Sequence, residues 1–187
     1  LLMFFTSLFE SNLKAAKKII YYNSTKSTSD DAWDLYAKNN EHNIVVIADH
    51  QKNGRGRSHN KWFSKPGHSI TCSFLLKEIF PRDQFNLHSI LIPVAVIQGV
   101  KTFLSIDLSI KWPNDIITTG HKIGGILLDI RGESTGPLDV VVGVGINYEL
   151  PKYELMNIDL HYQIYFLVNL MISGFHIQGI YNLDHQF

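Results

Sequence analysis

The sequence lacks the features that stabilise small secreted domains or build zinc sites. Its 187 residues include one cysteine, Cys72, which excludes an internal disulfide and any zinc site with several cysteine ligands. Cys72 lies in the apolar run 70–76, where we expect a buried structural thiol rather than a nucleophile. A reducing, cytoplasmic compartment fits this composition. A chain of this length buries enough surface to fold without such cross-links.

An excess of charge of either sign is also absent. Seventeen basic residues balance seventeen acidic ones, which disfavours binding to nucleic acid or anionic lipid by bulk charge. Long hydrophobic runs are missing too, because the apolar stretches 1–9 and 164–175 fall short of the roughly 20 residues that span a bilayer. We therefore expect neither a nucleic-acid partner nor a membrane partner, and any site for a polyanion has to be local.

Hydrophobic periodicity predicts strands interleaved with helices. An amphipathic helix is predicted over 2–20, and a second helix runs to about Lys38 with Ser29 or Asp30 as its cap. A buried helix is predicted over 84–104, with Pro93 kinking it or marking a later start. The predicted strands cover 19–22, 44–48, 69–76, 106–111, 115–118, 122–130 and 138–146. This order is typical of an α/β or α+β sheet domain.

A long segment, 49–68, contains three glycines, one proline and five Lys or Arg residues. Such a loop in a compact domain is usually functional or mobile. Its run Gly54-Arg55-Gly56-Arg57 joins glycines, which let a ligand approach the backbone, to arginines, which present planar forks for carboxylate or phosphate oxygens. Taken alone, the run is equally typical of a solvated loop. It is neither a P-loop nor a dinucleotide fingerprint, because the glycine spacings differ.

Three further segments place glycines or turn residues beside polar side chains at strand ends. They are Lys111-Trp112-Pro113-Asn114-Asp115, Lys122-Ile123-Gly124-Gly125-Ile126 and Gly143-Val144-Gly145-Ile146-Asn147. Asp115 could accept a hydrogen bond from a ribose or help to hold a metal ion. Lys122 could place its charge on a phosphate, and strand glycines leave room for a ligand. Each segment also has a purely structural explanation as a turn, a strand start or close backbone packing.

Together and in this order, the segments closely resemble the biotin protein ligases. The resemblance begins with Ser27-Thr28, passes through Gln51, the Gly-Arg-Gly-Arg run and Lys61-Trp62, and covers about 19–147. It implies a class II synthetase-like domain with a central mixed sheet flanked by helices. It also implies activation of biotin by ATP and Mg²⁺ to biotinyl-5′-AMP, and transfer of biotin to a lysine of the biotin carboxyl carrier domain of a carboxylase.

The resemblance also assigns roles to individual residues by motif. The cations implied to be catalytic are Arg55, Arg57 and Lys122. The residues implied to bind biotin are Ser27, Thr28, Ser29, Gln51, Arg55, Gly56, Arg57, Lys122, Gly125 and Gly143. The residues implied to bind the nucleotide are Trp62, Lys111, Asn114, Asp115, Gly145 and Asn147, with Asp115 also implied as a ligand of magnesium.

Three departures from the family pattern shape these expectations. Ser29 stands where the family has asparagine, so one contact at the biotin site is changed. We expect a single catalytic domain over 1–187 without an N-terminal helix-turn-helix, and we expect 148–187 to be a divergent or truncated C-terminal region. The resemblance allows a homodimer through the sheet edge. Two alternatives stay open: a non-catalytic binder of biotin or biotinyl-adenylate, and a related lipoate ligase.

Overall fold

The structure is a computed structural model that describes residues 18–40, 43–66, 68–80, 82–101, 107–132 and 136–147. Two helices are found in these ranges: α1 (Thr28–Asn39) and α2 (Phe85–Lys101). The strands are β1 (Lys18–Tyr22), β2 (Ile44–Ala48), β3 (Gly54–Arg55), β4 (Lys61–Trp62), β5 (Ser69–Phe80), β6 (Ser109–Lys111), β7 (Asp115–Thr118), β8 (His121–Arg131) and β9 (Leu138–Asn147). Short 3-10 turns cover Arg57–His59 and Arg82–Gln84.

Seven of the strands form one mixed sheet in the order β1-β2-β5-β9-β8-β7-β6. Strands β1 and β2 pair in parallel, and α1 makes the crossover between them. The other pairings in this sheet are antiparallel. Strands β3 and β4 form a separate two-stranded hairpin. The predicted mixed sheet with flanking helices is therefore confirmed.

The central strands are apolar on both faces, because a helix lies on each side of the sheet. On one face, Val96 and Ile97 of α2 pack into the larger core cluster. On the other face, Trp33 of α1 packs against a smaller cluster that includes Val141 of β9. Beyond Val141, the same face of β9 carries Gly143 and Gly145 in place of apolar side chains. The sheet is therefore left bare next to the N-terminus of α1.

Two strands have the bounds predicted from the sequence, whereas α1 has a different capping residue at its N-terminus. Strands β2 and β7 span the predicted residues. The prediction of Ser29 or Asp30 as the helix cap is wrong, because the Ser27 hydroxyl accepts the Asp30 backbone N–H at 3.4 Å. Residue Asn40, with φ of 51°, ends the helix in the left-handed conformation that asparagine tolerates.

The remaining differences concern lengths and chain ends. Strand β5 continues four residues past the predicted end at Leu76, and α2 runs through Pro93, so the proline does not delay its start. The predicted helix over 2–20 lies outside the described residues except for its last three positions, which belong to β1. The expectation for 148–187 also lies outside them. Within the described ranges, neither helix is both long enough and apolar enough to cross a bilayer.

Candidate active site

A cavity of about 300 Å³ opens on the α1 face of the large sheet. Strands β8 and β9 form its floor, and the first turn of α1 with Ser73 of β5 forms one wall. The segment 51–62, which carries the β3–β4 hairpin, forms the wall opposite. The cavity therefore lies where the sequence of β9 changes from valine to glycine.

The floor of the cavity consists of glycines from two adjacent strands. Gly125 of β8 lies opposite Gly145 of β9, and Leu127 lies opposite Gly143. A Cβ atom on Gly145 would lie 2.5 Å from Cζ2 of Trp62, so the indole ring packs directly on this backbone. A Cβ atom on Gly143 would lie 3.2 Å from the Ser29 hydroxyl oxygen. Close packing thus requires glycine at position 145, and a Cβ on Gly143 would need the Ser29 hydroxyl to shift by a few tenths of an ångström. A Cβ on Gly125 would meet only the Asn114 carbonyl, at 3.7 Å.

Backbone hydrogen bonds bring the 51–62 segment to the start of α1. The Thr25 N–H donates to the His50 carbonyl at 3.0 Å, and the Lys52 N–H donates to the Thr25 carbonyl at 2.8 Å. This short parallel pairing sets Gln51 beside the first turn of the helix. Further along, the hairpin pairs Gly54 with Trp62 and turns through a residue in the left-handed conformation, Ser58 with φ of 55°.

Neutral hydrogen-bonding groups from α1, β5 and the 51–62 segment form one part of the cavity lining. The Thr28 backbone N–H and hydroxyl both donate to Oε1 of Gln51, at 2.7 and 3.2 Å. The hydroxyl of Ser73, a fully buried residue, lies 2.8 Å from that of Thr28 and 3.0 Å from that of Ser29. Sequence reasoning missed Ser73. The signal that could have found it is the alternation of Ser69, Thr71 and Ser73 in a buried strand, all on one face.

The cavity lining also carries positive charge. The side chains of Arg55, Arg57 and Lys122 all line the cavity. The Nη2 atom of Arg55 lies 2.6 Å from a carboxylate oxygen of Asp129 and 2.8 Å from one of Asp30. These groups are partly exposed, and ion pairs of this kind contribute only about 0–1 kcal/mol, so an anionic ligand can replace them.

Lys122 is held in the same way, and Arg57 is not. The Nζ atom of Lys122 lies 2.8 Å from a carboxylate oxygen of Asp115. Arg57 and Lys61, which also lines the cavity, have no ion-pair partner within the part of the chain that the structure describes. The cavity is thus lined by two cations without a carboxylate partner and by two cations, Arg55 and Lys122, whose carboxylate partners an anionic ligand could displace.

Most residues singled out from the sequence line this cavity, and three do not. Ser27 caps α1, Lys111 lies on the edge strand β6, and Asn147 accepts a hydrogen bond from the Ser69 hydroxyl at 2.7 Å. The singled-out residues that line the cavity are Thr28, Ser29, Gln51, Arg55, Gly56, Arg57, Trp62, Asn114, Asp115, Lys122, Gly125, Gly143 and Gly145. Lining residues not singled out include Ser58, Asn60, Ser73 and Leu127.

Two further side chains bear on the chemistry available here. Burial raises the pKa of the Cys72 thiol far above its ordinary value, and the residue is 1% exposed, so it is a structural thiol rather than a nucleophile. The indole N–H of Trp62 is buried in the cavity region without a hydrogen-bond partner. An unpaired buried donor is costly, and an acceptor atom of a ligand would satisfy it.

The cavity is a candidate small-molecule site, and comparison with known proteins places the chain in a family. Residues 21–147 match the biotin/lipoate A/B protein ligase family, and the chain belongs to it. The chain is 36% identical over 129 residues to the bifunctional ligase/repressor BirA of Bacillus subtilis, a match that covers 69% of this chain and 40% of that protein. It is 32% identical over 108 residues to the biotin–[acetyl-CoA-carboxylase] ligase of Mycobacterium tuberculosis, covering 56% and 39%.

Solved structures agree with the fold. The biotin protein ligase of Aquifex aeolicus, in complex with biotin and ATP, superposes with a TM-score of 0.63 at 25% identity and covers 86% of this chain and 71% of its own. The biotin protein ligase of Leishmania major, in complex with biotin, gives a TM-score of 0.66 at 21% identity, covering 85% and 73%. The match spans about 40% of the length of the Bacillus subtilis and Mycobacterium tuberculosis relatives.

Proposed function

We propose that this chain activates biotin with ATP to biotinyl-5′-AMP and then transfers biotin to a lysine of a biotin carboxyl carrier domain. The observation that carries the proposal is the presence of two chemically different sets of groups in one cavity. Neutral hydrogen-bonding groups and four cations line it, above a floor of glycines. Biotin has two corresponding parts, a polar ureido edge on an apolar bicycle and a carboxylate at the end of its chain.

The cationic side chains that line the cavity suit the first half-reaction, which brings two anions together. The biotin carboxylate must attack the α-phosphorus of ATP, so two anions have to approach each other while pyrophosphate leaves. Arg55, Arg57 and Lys122 would screen this repulsion and hold the negative charge that develops on the phosphorus. Preorganised donors of this kind are usually the largest catalytic term, and losing one costs about 3 kcal/mol. No side chain of the protein has to act as a covalent nucleophile.

The neutral hydrogen-bonding groups that line the cavity suit the polar ureido edge of biotin. Gln51, Thr28 and Ser29 would supply the few placed hydrogen bonds that a mostly apolar ligand needs for orientation. Gly143 and Gly145 would let the bicycle and the adenylate lie against the sheet. Trp62, packed on Gly145 in the ligand-free protein, would have to shift or stack on the ligand. Closure of the 51–62 segment would keep water from the reactive mixed anhydride.

Magnesium belongs to this proposal only as a companion of ATP. The described residues contain no group of three or more His, Cys, Asp or Glu side chains that could hold a metal ion. Asp115 offers one carboxylate, which is paired with Lys122. These residues do not make a magnesium site by themselves. The ion would take most of its ligands from phosphate oxygens and water, as Mg²⁺ commonly does with nucleotides.

The second half-reaction needs a partner protein. The lysine amine of the carrier would attack the acyl carbon of biotinyl-5′-AMP, forming the amide and releasing AMP. The sheet has edge strands at β1 and β6, which offer surfaces for a carrier domain or for a homodimer. We place the protein in the cytoplasm, where its carrier and ATP would be found.

The decisive experiment is incubation of the protein with biotin, Mg-ATP and a biotin carboxyl carrier domain. We expect biotin-dependent release of pyrophosphate and a mass increase of the carrier by one biotinyl group. Binding of biotin without either event would identify a non-catalytic binder instead. Preference for lipoate over biotin in a competition assay would identify a lipoate ligase, and each of these two outcomes would refute the proposal.

A further inference from the structure

We propose that Ser73 is a positioning residue that fixes the direction of a hydroxyl chain, and that this chain makes Ser29 an obligate hydrogen-bond acceptor toward the ligand. The inference rests on the proposed function, because it specifies how the neutral groups of the cavity would hydrogen-bond the ureido edge of biotin. The chain joins Gln51, Thr28, Ser73 and Ser29, and its links measure 3.2, 2.8 and 3.0 Å.

The direction of the chain follows from its anchor. The Thr28 backbone N–H lies 2.7 Å from one side-chain atom of Gln51. A backbone N–H can only donate, so that atom must be the carbonyl oxygen Oε1 and not the amide nitrogen. The carbonyl oxygen can only accept, so the Thr28 hydroxyl must donate its single hydrogen to it at 3.2 Å.

The same reasoning passes along the remaining two links. The Thr28 hydroxyl donates its single hydrogen to Gln51. In the 2.8 Å contact between Thr28 and Ser73, the Ser73 hydroxyl must therefore be the donor. The Ser73 hydroxyl then has no hydrogen left, so the 3.0 Å contact requires Ser29 to donate to Ser73. Ser29 therefore has only lone pairs to offer to the cavity. Burial strengthens this order, since Ser73 is fully buried and out of contact with bulk solvent.

The direction of this hydroxyl chain determines which hydrogen-bonding groups a ligand needs. Ser29 lines the cavity beside the backbone of Gly143, so a ligand in the cavity can reach its hydroxyl. The Gln51 amide nitrogen keeps its two hydrogens, since its oxygen takes both Thr28 donors. The site thus pairs a donor on Gln51 with an acceptor on Ser29. A cyclic urea or amide, with its carbonyl and N–H side by side, is the ligand class that matches.

The test compares biotin with its two cyclic carbamate analogues, in each of which one ureido N–H is replaced by oxygen. We expect the wild-type protein to bind one of the two about tenfold or more weakly than biotin, because its ring oxygen would face the Ser29 lone pairs and the hydrogen bond is lost. In Ser73→Ala, Ser29 loses its acceptor and can turn its hydrogen toward the ligand. The ratio of the dissociation constant of this carbamate to that of biotin should therefore fall several-fold. Isothermal titration calorimetry measures both dissociation constants.

A matched control separates positioning from structure. Thr71 lies two residues before Ser73 on the same face of β5, is 1% exposed, and donates its hydroxyl to the Ala48 carbonyl outside the chain. Thr71→Val should therefore keep the wild-type ratio. If Ser73→Ala fails to fold, Ser29→Ala should abolish the discrimination instead, since it leaves neither donor nor acceptor.

The outcomes are distinct. An unchanged ratio in Ser73→Ala or in Ser29→Ala would overturn the inference, and so would an equal fall in Thr71→Val. Wild-type protein that binds biotin but treats both carbamates like biotin would overturn it while leaving the proposed function intact. Wild-type protein that binds no biotin at all would refute the proposed function itself.

Discussion

Replacing Gly145 with alanine should detach Trp62 from the floor of the cavity. The new Cβ atom would lie 2.5 Å from Cζ2 and 2.6 Å from Cε2 of the indole ring. Carbon atoms pack at about 3.5–4.0 Å, so the ring has to move by roughly 1 Å or leave its place. Strand β9 pairs on both sides, with β5 and β8, and holds its backbone in register. The displacement therefore falls on Trp62 and on the hairpin that carries it.

The size of the effect can be estimated from two opposing terms. Overpacking costs about 1–3 kcal/mol. Alanine recovers about 0.5–1 kcal/mol relative to glycine within a strand, because the unfolded chain loses less conformational freedom. We expect a net loss of about 0.5–2 kcal/mol in the free energy of unfolding. In a protein of this size, each kcal/mol lowers Tm by roughly 2–4 °C.

The assay combines thermal unfolding, tryptophan emission and biotin binding. Of the three tryptophans, Trp33 is 1% exposed and packed under α1, and Trp112 is 68% exposed, so a red shift on substitution reports on Trp62. Gly125→Ala is the matched control, because it adds a methyl group on the paired residue of β8 with only the Asn114 carbonyl at 3.7 Å. We expect the control to keep the emission maximum, to raise Tm slightly through the same gain of alanine over glycine in a strand, and to weaken ligand binding by occupying the cavity.

The two variants give a clear refutation. If Gly145→Ala has the emission maximum and Tm of the wild-type protein, the indole does not rest on this glycine. If both variants shift emission alike, the effect belongs to the sheet rather than to Trp62.

Three other predictions follow from the site. Lys122→Ala should lose at least about 100-fold of biotin-dependent pyrophosphate release, because a donor to the developing charge on phosphorus is removed; release at the wild-type rate would contradict the assignment. Arg55→Ala should lose retention of biotinyl-adenylate on gel filtration while unfolding free energy in urea changes by less than about 1 kcal/mol, since exposed ion pairs contribute little; unchanged biotinylation of a carrier domain would contradict it. The pKa of Asp31 is raised by burial and by the neighbouring Asp34 and Asp30, against the hydrogen bond that Thr25 donates to it. The folded state then binds a proton that the unfolded state has released, so this group lowers stability as pH rises above about 4. Asp31→Asn should remove that contribution, and urea titrations across this pH range should show a shallower fall in stability than the wild-type protein. Identical slopes for the two proteins would refute the pKa argument.

The fold was predictable from the sequence wherever burial alone decides the local structure. Strand β2 is a continuous apolar run, buried at every position, and its bounds follow from hydrophobicity. The cap of α1 was harder, because three hydroxyl residues precede Asp30 and any of them suits the position. Only the tertiary contacts of Thr28 and Ser29 with Ser73 assign them to the first turn and leave Ser27 to cap it.

The site was predictable in its charged residues and less so in its neutral ones. Glycines and arginines in the 49–68 segment suit an anion site, and only their order with the other segments distinguishes that site from a solvated loop. Ser73 carries no such signal, since its role depends on pairing across 45 positions with Thr28. Asn147 is a strand-end asparagine, a position that suggests a ligand contact, and its side chain accepts a hydrogen bond from the Ser69 hydroxyl outside the cavity lining.

The hydrogen bond between Ser69 and Asn147 joins residues 78 positions apart, and the Arg55–Asp129 contact joins residues 74 apart. The cavity is therefore built from contacts between residues far apart in sequence. Bringing such residues together costs conformational entropy before their contacts stabilise the fold. Helix α1 and the turn before it can form locally, whereas the glycine floor exists only after β9 has paired with both β5 and β8. During synthesis, the complete site has to wait until the chain has been made as far as β9.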